Sequence, residues 1–241
     1  MARPRGECVM SVIKKRLLSA LVASFALFLL QVPPAAKAEG IKLPEPSFKG
    51  KMSVEEALKA RRTCRSFQSR GLSLAQLSQI LWAADGVSGS RYDRPLRTAP
   101  SAGALYPLDL YAVVGQGGVG GLKPAVYHFD PAGHGLTAIR QGDLRQGLAE
   151  AAVSQMRIAK APVIVVITGE YERCTRKYHD RGVLYTHIEA GCVGQNIFLQ
   201  AEALGLKAGI VGAFRNSDVI KTLGLPPSHE PLLLMTVGYA E

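Results

Sequence analysis

The stretch that decides the fold is RRTCRSF, residues 61–67, which follows a helix predicted to begin at Ser53. Three guanidinium groups and one hydroxyl fall within the first five of these residues. Arginine presents a planar, permanently charged fork that matches phosphate oxygens, so the pattern indicates a cradle for a phosphate monoester. A solvated basic helix end is the alternative, because arginines also suit the negative end of the helix dipole.

A second stretch, APSAGALYP at residues 99–107, leads into a predicted strand. Its small residues let the backbone approach a flat ligand closely, and backbone N–H groups and the Ser101 hydroxyl are available as donors. The prolines restrict the loop without adding donors of their own. The stretch is therefore a candidate contact for a flat ligand, with an ordinary helix-to-strand connection as the alternative.

The rest of the chain alternates helices and strands in the order α-α-β-β-α-β-α-β-α-β. Capping boxes at Ser53 and Ser73 begin the first two helices, and residues 86–97 are predicted to be a loop. Further strands are predicted at 109–115, 125–130, 162–168, 209–213 and 232–237, and further helices at 143–159, 188–204 and near Val219. The third strand is apolar on both faces and is expected at the centre of the sheet. Helix 188–204 is nearly apolar all round, which favours burial inside the domain or between subunits. This order predicts an α+β sandwich, one sheet with helices on its faces.

Residues 1–38 are predicted to be a secretory signal peptide. A basic segment at residues 14–16 precedes an apolar run at residues 17–32 that is too short to span a bilayer comfortably, and Ala36 and Ala38 suit a cut before Glu39. An uncleaved anchor helix is the alternative. Cleavage after Ala38 would leave an arm over 39–52 and one domain over 53–241, in the periplasm or outside the cell and without stable membrane insertion.

The charge balance argues against a nucleic-acid partner. The formal net charge of the whole chain is +10. The predicted signal peptide holds six basic residues and one acidic residue, so the mature chain keeps +5. That excess includes no run of five like charges, so nucleic-acid binding is disfavoured, and the local arginine cluster indicates a phosphate-bearing ligand instead.

Three cysteines, Cys64, Cys174 and Cys192, remain after the predicted cleavage. No C-x-x-C is present and the histidines lack metal-ligand spacing, so no metal site is expected. In an oxidising compartment one pair could close, Cys174 with Cys192 before the others. Three half-buried free thiols are the alternative, since free cysteine is often buried.

Residues 61–67 and 99–107 together resemble the FMN-binding pair of the nitroreductase family, and the second has the form typical of its SagB/ThcOx-like branch, which includes the McbC-like dehydrogenases. Further agreement lies at residues 125–131, 189–196, 204–212 and 231–239, so the resemblance covers residues 53–239. It implies a nitroreductase-like α+β fold with a central mixed sheet flanked by helices, and FMN at a homodimer interface. The implied activity is that of an FMN-dependent oxidoreductase working by ping-pong hydride transfer.

The resemblance also assigns site residues. Those implied to hold the FMN phosphate and ribityl chain are Arg61, Arg62, Thr63 and Arg65. Those implied to line the isoalloxazine ring are Pro100, Ser101, Ala102 and Gly103, with Leu105 and Tyr106 nearby. Val211 and Gly212 would offer backbone N–H groups to N5 or O4 of the ring. Many family members end with a basic residue that reaches the phosphate; this sequence shows none, so Lys207 is expected to assist the arginine cluster.

Lys177 and Tyr178 resemble the Lys-Tyr pair of azoline-oxidising members, which assists removal of a substrate proton. Three neighbouring arginines, at positions 173, 176 and 181, could lower the pKa of such a lysine by like-charge repulsion. A solvated basic loop is the alternative. An azoline dehydrogenase acting on a peptide, a flavin-binding protein without turnover and an exported binding module without flavin are the competing functions.

Overall fold

The computed structural model describes residues 40–241. The predicted signal peptide and its cleavage site lie outside those residues. Within them, no helix is both long and apolar enough to cross a membrane.

The described chain forms one seven-stranded sheet, one separate hairpin and six α-helices. The strands are β1 Ile41–Lys42, β2 Val87–Arg91, β3 Arg94–Arg97, β4 Leu108–Val114, β5 Ala125–Asp130, β6 Gly135–Gln141, β7 Val163–Gly169, β8 Lys207–Val211 and β9 Glu230–Gly238. The helices are α1 Val54–Ala60, α2 Leu74–Asp85, α3 Arg145–Ala151, α4 Glu172–Tyr178, α5 Arg181–Ala203 and α6 Asn216–Leu223, with 3-10 turns at Ala102–Ala104 and Met156–Lys160.

The sheet has the strand order β1-β6-β5-β4-β7-β9-β8, and β2 pairs with β3 outside it. The expected α+β architecture is confirmed, and so is the central position of β7, whose seven residues are all buried. The expectation of a mixed sheet is wrong in detail, because every strand pair within residues 40–241 is antiparallel. Parallel pairing there is confined to isolated bridges, one of which joins Thr63 to Ala208.

Each face of the sheet carries its own apolar layer. On one face, Leu77 of α2 and Ile197 of α5 belong to a core that includes Val165 of β7. On the other face, Leu148 of α3 and Val219 of α6 pack with Val166 of the same strand. Neighbouring residues of one strand thus enter opposite cores, as the two-residue period of a strand requires.

Several local predictions need correction. Residues 86–97, expected to be a loop, contain the β2–β3 hairpin, and β6 was not predicted. The helix expected over 143–159 ends at Ala151, because Val153 and Ser154 both have φ of +56°, which no right-handed helix permits. The long helix begins at Arg181 instead of residue 188.

The predicted arm and the cysteines are also described in part. Within the arm, β1 pairs with β6 and Leu43 is buried in the core. Cys64, Cys174 and Cys192 are free thiols, so the pairing of Cys174 with Cys192 is not present.

The strand order gathers four chain segments at one end of the sheet. Leu108 is paired with Gly169, and Gly169 with Glu230, so the start of β4, the end of β7 and the start of β9 lie together. Val211, at the end of β8, pairs with Leu234 near the same end. We call this end the loop edge. The connections that meet there carry residues 100–107, α4 and Gly212.

Candidate functional site

The arginine segment lies along the outer edge of β8. The Cys64 amide donates to the Ala208 carbonyl at 2.8 Å. A Cβ on Gly209 would stand 2.3 Å from the Cys64 carbonyl oxygen, so only glycine lets the segment pack this closely on the strand. The chain enters the segment where α1 ends, with the Arg61 amide donating to Ala57.

A cleft opens between this segment and the 3-10 turn at residues 156–160. Thr63, Arg65 and Val211, three of the residues that the resemblance assigns to FMN, line it. Arg157 lines it too, and sequence reasoning missed it. In the sequence, Arg157 is a lone arginine within the helix expected over residues 143–159, and it belongs to no recognisable motif.

The other predicted phosphate ligands take two different positions. The Arg61 guanidinium stands over the Phe198 ring, 5.1 Å from its centroid. Arg62 turns back to the end of α1 and donates to the carbonyls of Lys59 and Arg61. Arg62 therefore belongs to a basic helix end, which was the alternative to a phosphate cradle. Arg65 and Thr63, in contrast, face the cleft. Lys207, the expected helper, instead forms a 2.5 Å ion pair with the buried Glu202.

The loop at residues 100–106 is held by its own backbone and by the β2–β3 hairpin. The Ser101 hydroxyl accepts the Tyr106 amide at 2.9 Å, so this hydroxyl oxygen is engaged within the loop. The Tyr106 hydroxyl donates to the Pro95 carbonyl at 2.8 Å, and its ring lies 4.4 Å below the Arg97 guanidinium. Gly103 has φ of +63°, a conformation that glycine adopts without strain.

Lys177 and Tyr178 end α4 directly beside this loop. A Cβ on Gly103 would lie 2.6 Å from the Tyr178 hydroxyl and 3.1 Å from the Lys177 Nζ. The Lys177 Nζ is also 5.2 Å from the centroid of the Tyr178 ring. The fold thus joins two predicted site elements that are about 75 residues apart in the sequence.

Carboxylates neutralise most of the arginines that were expected to act on Lys177. Arg173 forms ion pairs with Asp109 at 2.7 Å and with Glu170 at 2.6 Å, and Arg176 pairs with Glu172 at 2.9 Å. Two of the three cations expected to act on Lys177 are therefore neutralised, and Lys177 itself is exposed.

A polar cluster around Asp109 connects α4 to the loop edge through ion pairs and hydrogen bonds. The sequence did not predict this cluster. Arg173 pairs with Asp109 and also donates to the Tyr106 carbonyl at 3.1 Å. His128 contacts Asp109 at 2.9 Å. Burial alone would raise the pKa of Asp109, but the His128 hydrogen bond and the Arg173 charge together hold it below its ordinary value. The cluster anchors the helix that carries Lys177 and Tyr178 to the loop that carries Gly103.

A second unpredicted feature is a buried acidic pair beneath residues 100–106. Glu189 of α5 is 2% exposed, and neither of its carboxyl oxygens has a hydrogen-bond partner among the described residues. Burial raises the pKa of Glu189 to about 7, and the charge of the nearby Asp85 reinforces the effect. Asp85 is 1% exposed and pairs with Arg97, yet burial raises its pKa to about 7 as well. Burial therefore favours the protonated form of both carboxyls.

The predicted ligand residues form two groups within the described chain. Thr63, Arg65 and Val211 lie at the edge strand β8, and Gly103 with the Lys177–Tyr178 pair lies at the start of β4. Three strand spacings separate β4 from β8, roughly 14 Å at the usual 4.8 Å per spacing. At Gly212, a Cβ would meet nothing within 4 Å. The backbone next to Val211 therefore faces open space.

Comparisons with known proteins agree with this architecture. The model of a family described as the nitroreductase family matches residues 58–239. A nitroreductase-type protein of Methanocaldococcus jannaschii is 42% identical over 187 residues, which cover 78% of this chain and 91% of that protein. The microcin B17-processing protein McbC of Escherichia coli is 27% identical over 148 residues, covering 59% of this chain and 54% of McbC. A solved nitroreductase-type structure from Ralstonia eutropha aligns with a TM-score of 0.69 at 29% identity, over 87% of this chain and 93% of that one.

Proposed function

Because this chain belongs to the nitroreductase family, whose members are flavin-dependent oxidoreductases, we propose that it is an FMN-dependent oxidoreductase that transfers hydride by a ping-pong mechanism. The observation that supports FMN is the cleft along β8, where Thr63 and Arg65 meet Val211. The cleft is small, with about 250 Å³ of empty space, so it suits the terminal phosphate of the ligand. The flat ring would lie beyond it, beside Gly212.

The chemistry of the cleft fits a phosphate. Within residues 40–241, the cleft residue Arg65 has no carboxylate within ion-pair distance, whereas Arg97, Arg145 and Arg173 are all paired. Unpaired guanidinium groups beside a hydroxyl are suited to a charge-assisted hydrogen bond with an incoming anion.

Each part of the site has a separate task in this proposal. FMN, when bound, would supply the electron chemistry, while the chain binds and orients it. Arg61, Arg65 and Thr63 would bind the phosphate end, and the open backbone at Gly212 would face the ring. The Lys177–Tyr178 pair would take up a proton from a bound substrate through whichever member is deprotonated, a neutral Lys177 amine or a Tyr178 phenolate, while the other donates a hydrogen bond to it.

The Lys177–Tyr178 pair favours a second candidate, an azoline dehydrogenase acting on a thiazoline or oxazoline of a modified peptide. The observation that supports it is the close approach of both side chains to Gly103. Removing hydride from a carbon requires a base for the accompanying proton, and this pair is the candidate at the loop edge.

We further propose that two chains build each site. Residues 100–106 and the β8 cleft form separate groups in one chain, and a two-fold partner would bring its loop to the cleft. Exposed apolar side chains on α5 and β8 suit such an interface: Leu184 is 43%, Ile188 55% and Ile210 41% exposed. Light scattering with excess FMN should give a dimer; a monomer would contradict the interface.

The colour of the purified protein tests the main proposal. Bound FMN should make it yellow, a reductant should bleach it, and a nitroaromatic or quinone should restore the colour. A colourless protein that takes up no FMN would leave only a binding module without flavin. A yellow protein that bleaches but transfers nothing to either acceptor would be a flavin-binding protein without turnover.

We propose a periplasmic or secreted location, supported by the charged, apolar and small-residue segments of residues 1–38. N-terminal sequencing of protein from the periplasmic or extracellular fraction should begin at or near Glu39. A cytoplasmic pool that begins at Met1 or Met10 would contradict it.

A further inference from the structure

The arginines of the described chain divide into paired and unpaired groups. Carboxylates hold five of them: Arg97, Arg145, Arg173, Arg176 and Arg215. Arg157 has no carboxylate within ion-pair distance among residues 40–241, and the same holds for Arg65. Both line the β8 cleft. Two like charges on one cleft repel each other, and an anion between them would relieve that repulsion.

Arg157 reaches the cleft because the helix expected over 143–159 breaks. Val153 and Ser154, both at φ of +56°, end the α-helical path, and the chain restarts as the 3-10 turn Met156–Lys160. Ile158 of that turn is buried in the core, which anchors it under β8. Arg157, next to this anchor, is directed to the cleft.

A neutral side chain orients the guanidinium. Gln155 accepts a hydrogen bond from Arg157 Nη2 at 2.9 Å through its Oε1. Its Nε2 donates to the carbonyls of Ala152 at 3.0 Å and Ala213 at 3.1 Å. Ala213 directly follows Gly212, so one amide links the arginine to the end of the cleft proposed for the ring. Gln155 thus positions the guanidinium without neutralising its charge.

We propose that Arg157 is a phosphate-binding residue and, together with Arg65, makes the site selective for a phosphorylated flavin over its unphosphorylated form. This inference rests on the proposed flavin site and adds a residue that the sequence pattern did not contain. A guanidinium offers two parallel N–H donors to phosphate oxygens, a geometry that lysine lacks.

The test compares FMN with riboflavin, which share the ring and ribityl chain and differ in the phosphate. Dissociation constants come from quenching of flavin fluorescence by the flavin-free protein. Arg157→Gln should weaken FMN binding by about 10- to 100-fold, the scale of one hydrogen bond to a charged group. Riboflavin binding should change less than about 3-fold, because no phosphate contact is lost. Arg157→Lys should recover part of the loss, since it keeps the charge but not the fork.

Lys160→Gln is the matched control. Lys160 lies in the same 3-10 turn and carries the same charge, but it lines a neighbouring cleft with Arg145 and Glu241. Its loss should leave the ratio of FMN to riboflavin affinity unchanged. Inorganic phosphate should compete with FMN for the wild-type protein and less effectively for Arg157→Gln.

The outcomes separate this inference from the proposed function. If Arg157→Gln weakens both flavins equally, the residue has a structural role and the inference is wrong. If Arg157→Gln weakens the binding of neither flavin, the Arg157 charge does not contact the phosphate and the inference is wrong. The same conclusion follows if Lys160→Gln weakens FMN binding as much as Arg157→Gln does. If the wild-type protein binds neither flavin, the proposed function itself fails.

Discussion

Replacing Glu189 by Gln should make the protein more stable at alkaline pH relative to the wild type. Glu189 lies in α5, its carboxyl oxygens have no hydrogen-bond partner among residues 40–241, and burial raises the pKa of this carboxyl from the ordinary 4.5 to about 7. The unfolded chain releases this proton near pH 4.5, whereas the folded chain holds it to about pH 7. The folded state therefore binds more protons in between, and its stability falls as the pH rises through that window.

The magnitude follows from the two pKa values. One pKa unit corresponds to about 1.4 kcal/mol, so ionising Glu189 in the folded state costs roughly 3 kcal/mol in total. Most of that cost, about 2.5 kcal/mol, develops between pH 5 and pH 8. Glutamine has nearly the same shape and no charge, so the variant avoids the cost. The free energy of unfolding of Glu189→Gln, minus that of wild type, should rise by about 2.5 kcal/mol from pH 5 to pH 8.

Urea unfolding of flavin-free protein at both pH values measures this difference. Glu202→Gln is the control, because Glu202 lies in the same helix, is 4% exposed, and is paired with Lys207 at 2.5 Å. Removing its charge breaks an ion pair and should destabilise the protein without any gain at pH 8. A difference for Glu189→Gln that stays flat between pH 5 and pH 8 would refute the reasoning.

Three further predictions, with five substitutions, test the site. Gly103→Ala should lower the free energy of unfolding by about 1–2 kcal/mol, because alanine is strained at positive φ and its Cβ would meet the Tyr178 hydroxyl. Denaturant titration measures this loss of stability, and an unchanged midpoint would contradict the contact. Arg61→Ala and Arg65→Ala should each weaken FMN binding by about 1.5–3 kcal/mol in fluorescence titrations; retention of flavin through dialysis by both would make the segment a plain basic surface. Lys177→Ala and Tyr178→Phe should keep FMN affinity and quinone reduction within a few fold, while oxidation of a carbon substrate falls about 10²- to 10⁴-fold. Joint loss of both activities together with the flavin would instead indicate a structural role for the pair.

Much of the fold was predictable because the relevant signals are local. The capping boxes at Ser53 and Ser73 are both present as predicted. The apolar run that forms β7 is central, because a strand without a polar face must be covered on both sides. Each signal acts within one or two helical turns or one strand, so the sequence alone carries it.

Other local predictions failed because tertiary contacts outweighed local preference. The helix expected to reach residue 159 ends at Ala151, where the chain turns through Val153 and Ser154 and buries Ile158 under the sheet. The hairpin within residues 86–97 has a polar sequence, and it is held partly by the Tyr106 hydroxyl that donates to Pro95. Both contacts join residues that are not neighbours in the sequence, so no local sequence pattern predicts them.

The sequence by itself determined which residues carry charge and where the chain is flexible enough to approach a ligand: the cluster at Arg61–Arg65 and the glycine at position 103. Only the tertiary structure decided which of those charges stay available. Arg173 and Arg176 are neutralised by carboxylates, and Lys207 is paired with Glu202. Arg65 and Arg157, on one cleft, have no carboxylate partner within the described part of the chain. The physical reason is that Coulomb energy depends on distance in space, and the strand order of the sheet sets those distances between residues far apart in sequence.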